Sequence, residues 1–136
     1  MQVGTMDEIE LSAKGRSLKL RPVNDRWIEL SASVRGGWLP LGAESPEYVV
    51  ARLISLLTGE LAVESGDPTW VMSLSEEHFS MYACRLRDRT LRLRWQDAEA
   101  NWDSEAVFDL TDRDVSMWLA RLSVHHRESP EPQVGS

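Results

Sequence analysis

Cysteine is nearly absent. Cys84 stands alone among 136 residues, so an intramolecular disulfide framework is excluded. It falls in a strand pattern, where the expectation is a buried, unreactive thiol. No apolar run is long enough to span a bilayer. Met1 to Lys14 are acidic and have no apolar segment of the kind a secretory leader carries, so a reducing, cytoplasmic setting is expected. Lysine is scarce, with only Lys14 and Lys19. The histidines are His78, His125 and His126. The last two are adjacent, whereas a helical zinc pair sits at i and i+4. His78 has Glu76 and Glu77 nearby but no nucleophile at a supporting spacing. There is no Gly-rich phosphate loop, since Gly15 and Gly36-Gly37 are turn glycines. A non-catalytic protein with no cofactor is expected.

What the chain has in quantity is acid and tryptophan. Formal net charge is -7, with a hydrophobic fraction of 42% and a charged fraction of 27%. Those fractions fit one soluble globular domain. An acidic surface disfavours nucleic acid and anionic membrane and favours basic partners. Tryptophan occupies positions 27, 38, 70, 95, 102 and 118. Trp and Arg are favoured at binding hot spots, but Trp also fills small cores, and core filling is the expectation here.

Residues 8–12 and 17–21 alternate apolar and polar around Lys14-Gly15, which predicts a hairpin ended by Pro22. A third strand is expected at 26–34, with Ile28, Leu30, Ala32 and Val34 on one face. Gly36-Gly37 stops it, and 36–44 reads as a loop into a helix. Ser45, Pro46 and Glu47 start that helix, Gly59 ends it, and the apolar positions between predict 46–58. Gly66-Asp67-Pro68 turns the chain into a strand block. Its first strand carries Trp70, Met72 and Leu74 on one face, and further strands are expected at 79–87, 90–96 and 105–110. Thr111 with Asp114 forms a capping box for a second helix, whose stripe is Val115, Trp118, Leu119 and Leu122. No internal repeat is evident. The expected fold is α+β: a mostly antiparallel sheet of six to seven strands with two helices packed on it. Residues 1–127 form one domain, and 128–136, with two prolines and no periodicity, a flexible tail.

Charge is unevenly laid out. Arg85, Arg87, Arg89, Arg92 and Arg94 face a single acid, Asp88, within ten residues. If Leu86 and Leu91 point inward, Arg85, Arg87, Arg92 and Arg94 share an outer face and make a possible anion-binding patch. The competing reading pairs them with acids on neighbouring strands, such as Glu8, Glu10 or Glu29. Asp97, Glu99, Trp102, Asp103 and Glu105 then form an acidic loop around an indole, suited to a basic cleft on a partner. The loop fails as a calcium site because Trp102 and Phe108 stand where Gly and Glu are needed. No metal is expected.

The Trp70-x-x-Ser73-Leu74 strand, the paired strands ending in Leu91-Arg92-Leu93-Arg94-Trp95, Trp102, and the last helix with Trp118-Leu119 follow one another in a set order. Over roughly residues 45–125 this layout resembles small bacterial families whose members are uncharacterised or serve as immunity proteins. The resemblance implies a compact acidic binder that neutralises a toxin made by the same cell. The expected function is therefore an immunity- or antitoxin-type inhibitor acting through Asp97, Glu99, Trp102, Asp103 and Glu105 on a protein partner. The alternatives are a secretion-chaperone-like adaptor, which would normally open with a helix, and a small anion- or ligand-binding protein using the arginine patch.

Overall fold

The computed structural model describes residues 7–34, 37–74, 79–97 and 105–127, with the side chains of 125–127 outside that description. Among these residues the chain forms eight strands and two helices. Strands β1 (Ile9–Ala13), β2 (Arg16–Pro22), β3 (Ile28–Val34) and β4 (Gly37–Glu44) lead into α1 (Pro46–Thr58). Strands β5 (Thr69–Leu74), β6 (Phe79–Arg85), β7 (Leu91–Asp97) and β8 (Glu105–Leu110) lead into α2 (Asp112–Arg127). All strand pairing within the sheets is antiparallel, so the α+β class holds. The single six- to seven-stranded sheet does not. The strands divide into two four-stranded sheets, ordered β1-β2-β3-β4 and β5-β6-β7-β8.

Two features hid this from the sequence. Residues 37–44, expected as a loop, are strand β4. Gly37, Pro40 and Gly42 break its alternation, and a bulge opposite Leu30 and Ser31 inserts Leu41, which is fully buried. The segment containing α1 also separates the two meanders, so β4 and β5 lie beside each other without joining one ladder.

The halves repeat one another. Each is a four-stranded meander followed by a helix, and the expectation of no repeat is corrected accordingly. In register, Leu18 and Leu20 match Met81 and Ala83, while Ile28, Leu30 and Ala32 match Leu91, Leu93 and Trp95; all are buried. The β2–β3 and β6–β7 hairpins close alike. Val23 N–H donates to Trp27 O at 3.0 Å, and Leu86 N–H donates to Thr90 O at 2.9 Å. Packing follows the same symmetry: β4 adjoins β5 and β8 adjoins β1, each helix touches the first strand of the other half, and the helices pack on each other. A single apolar cluster draws on both sheets and both helices.

Local chemistry sets the helix ends. Ser45 Oγ accepts the Tyr48 N–H at 3.3 Å. Gly59, at φ 89°, closes α1 with a Schellman pattern, its N–H reaching Leu56 O and the Glu60 N–H reaching Ser55 O. Thr111 and Asp114 exchange hydrogen bonds at the start of α2. Trp118 packs edge-on against Phe108 and donates its Nε1–H to Ser12 O on β1 at 2.9 Å. Trp95 is equally buried, but its Nε1 has no acceptor among the described residues.

That contrast is testable. Both indoles are buried, so Trp→Phe removes similar apolar area at each. Trp118→Phe also loses the hydrogen bond to the Ser12 carbonyl, whereas Trp95→Phe removes an orphaned donor. Urea unfolding is expected to show Trp118→Phe as the more destabilised variant, by about 1 kcal/mol or more; equal losses would contradict the assignment.

Candidate functional site

The outer face of the second sheet is built by cross-strand register. One row runs Trp70, Tyr82, Arg94, Val107; the next runs Ser73, Ser80, Gln96, Glu105; a third runs Cys84, Arg92, Asp109. Trp70 was expected to share a face with Met72 and Leu74. A bulge at Val71 breaks the alternation, so Val71 and Met72 both enter the core while Trp70 stays outside, 51% exposed. Its cross-strand neighbour Tyr82 is half-buried, as is Cys84 further along β6. Trp38 (42%) and Trp27 (37%) are exposed as well, so three of the five described tryptophans lie outside the core. Lys19 Nζ sits 4.1 Å from the centre of the Trp38 ring on the outer face of the first sheet.

The four arginines of the expected anion patch separate into two groups. Arg92 and Arg94 do lie on the outer face, but each is paired. Arg92 grips Asp109 with two parallel bonds, Nε to Oδ1 at 2.7 Å and Nη2 to Oδ2 at 3.0 Å. Arg94 Nε lies 2.7 Å from Glu105 Oε2, a charge contact without the alignment of a hydrogen bond. Pairing with neighbouring strands is thus correct for these two, although the acids come from β8. Glu29, one of the acids considered for them, pairs instead with Arg21. Arg85 leaves the expected face: it follows Met81 and Ala83 in alternation and pairs in register with buried Leu91. Arg87 and Arg89 are exposed at the hairpin tip.

Of the acidic set, Asp97 ends β7 and Glu105 begins β8, both half-buried. Glu99, Trp102 and Asp103 lie outside the described residues. The register places Asp97 and Glu105 at one end of the sheet and the 85–91 hairpin at the other. A strand of that length separates them by about 20 Å. Among the described residues, no group of three or more His, Cys, Asp and Glu is placed to hold a metal. Between α2 and β1, Glu10, Ser12, Met117, Trp118 and Arg121 line an open depression of about 260 Å³.

Electrostatics on the face are local. The hydrogen bonds from Arg92 hold the Asp109 carboxyl below its ordinary value against a smaller opposing effect of burial, and Asp109 in turn raises the Arg92 guanidinium. No protein-family model, curated protein or solved structure matches the chain.

Because the folded carboxyl of Asp109 titrates below its unfolded value, the pair contributes stability above the unfolded pKa, and that contribution is lost as pH falls through the folded one. Both side chains are partly exposed, at 37% and 28%, so solvent screening keeps the coupling within roughly 0.2–1 kcal/mol. Asp109→Asn is therefore expected to lower the urea midpoint at neutral pH and to flatten its decline below about pH 4. A midpoint that falls just as steeply in the variant would contradict this.

Proposed function

We propose that this is a non-catalytic binding protein of the immunity or antitoxin type, which neutralises a cognate bacterial toxin by covering it with the outer face of the second sheet. The observation that carries the reading is Trp70, exposed by the bulge at Val71 and set in the same row as Tyr82 and Arg94. Trp, Tyr and Arg dominate the energetics of protein interfaces. An indole left half in water binds more tightly once a partner desolvates it. Arg92 and Arg94 are already neutralised by Asp109 and Glu105, so bringing a partner over them leaves no unpaired charge at the centre.

The acidic connection of Asp97, Glu99, Trp102, Asp103 and Glu105 belongs to the same proposal as a flank to the aromatic row. With a net charge of -7 behind it, it steers a basic partner towards the face. Within this set Glu105 is already paired with Arg94, so its part is to hold the arginine in place beneath the partner.

Co-expression with the toxin encoded by the neighbouring reading frame tests this. Wild-type protein is expected to restore growth. Trp70→Ala is expected to weaken the complex by about 2 kcal/mol, a typical hot-spot loss, without lowering the urea midpoint. Charge reversal at Asp97, Glu99 and Asp103 is expected to slow association and to reduce its salt dependence. Full protection by both variants would overturn the site.

A further inference from the structure

The β6–β7 hairpin tip carries charge that no salt bridge among the described residues compensates. Arg85, Arg87 and Arg89 fall within five residues, and none pairs with a carboxylate among the described residues. The acid between them, Asp88, is turned into the backbone. Its Oδ1 accepts the Thr90 N–H at 3.0 Å, and hydrogen bonds from Thr90 hold its carboxyl below the ordinary value. Arg85 Nη1 reaches the Arg89 carbonyl at 3.4 Å, which draws two of the guanidinium-bearing residues together. The turn itself is tight, with Leu86 N–H on Thr90 O and Arg89 N–H on Leu86 O, both at 2.9 Å.

The repeat supplies an internal comparison. The β2–β3 hairpin makes the same closing bond with Pro22, Asn24, Asp25 and Arg26 in the places of Arg85, Arg87, Asp88 and Arg89. Turn closure therefore needs neither Arg85 nor Arg87. Arg89 also holds φ at 74°, a left-handed conformation that favours glycine or asparagine. The grouping of three guanidiniums therefore belongs to the second hairpin, since of the three only Arg89 has a counterpart, Arg26, in the first.

We propose that this tip is a docking point for a carboxylate-rich segment of a protein partner, with Arg87 and Arg89 as its exposed forks and Arg85 behind them. The proposal rests on the binding reading above only for the kind of partner, since the surface is separate from the Trp70 row. Guanidinium groups pair with carboxylates through two parallel bonds, and their planar fork loses less freedom per hydrogen bond formed than an ammonium does. A short acidic segment touches the tip alone. A nucleic acid would extend past it over a surface more negative than the whole-chain charge of -7, because the tip holds three positive charges against one negative. The chemistry of the tip thus selects a local acidic strip.

Fluorescence anisotropy with a labelled hexaglutamate peptide at low ionic strength tests the assignment. Arg87→Glu/Arg89→Glu is expected to weaken binding by about tenfold or more, and added salt to weaken the wild type. Arg26→Glu, at the matching place in the first half, is expected to change nothing, as is Trp70→Ala. Circular dichroism of the double variant confirms the fold, both residues being exposed. Absence of hexaglutamate binding, or an equal loss in Arg26→Glu, overturns the proposal. So does tighter binding of a short DNA duplex of equal charge through the same arginines. Because Trp70→Ala reports on toxin protection and the arginine variant on peptide binding, either reading fails without the other.

Discussion

A four-stranded meander with one apolar face cannot bury that face by itself. Each half of this protein has the same shortage and meets it with the other half. Ile9, Leu11, Leu18 and Leu30 of the first sheet share one core with Met81, Leu91, Leu93 and Phe108 of the second, closed by Val49, Leu53 and Leu56 of α1 and Trp118 and Leu122 of α2. Mutual burial is what fixes the relation of the sheets, since no backbone ladder joins them. At roughly 25 cal/mol per Å² of apolar surface, such burial is the dominant favourable contribution to folding. The outer faces contribute little to it and are correspondingly free to differ.

They do differ. The first sheet turns outward serines, one lysine–indole contact and one arginine–carboxylate pair, Arg21 with Glu29, and Ser12 Oγ and Ser17 Oγ are bonded at 2.8 Å. The second turns out Trp70, Tyr82 and two arginine–carboxylate pairs. The backbone under both is alike, so the contrast belongs to the side chains. The second sheet's charges are arranged by distance along the strands: acids gather where β7 meets β8, and unpaired arginines gather where β6 meets β7.

The helices were fully legible in sequence. Ser45-Pro46 and Gly59 bracket α1, and the Thr111–Asp114 box opens α2, because caps are local chemistry written within a few residues. Strands with clean alternation were legible for the same reason, as at Leu91, Leu93 and Trp95. Bulges were not. Leu41 and Val71 each shift the period by one, and that shift concealed β4 and put Trp70 on the wrong face. The partners of Arg92 and Arg94 also escaped, because register across β7 and β8 decides them and no local pattern encodes it. The repeat was readable in principle from the matching Asp25-Arg26 and Asp88-Arg89 turns, but few identities mark it elsewhere in the hairpins.

Strand β1 stands at the margin of its sheet, the position where a neighbouring molecule could add a strand of its own. The indole of Trp118 occupies the Ser12 carbonyl there, and α2 lies along the strand. One aromatic side chain thus serves two elements at once: it tethers α2 to β1, and it engages a backbone acceptor on an edge strand. The contact that completes the packing of α2 is also the one that covers part of an open sheet edge.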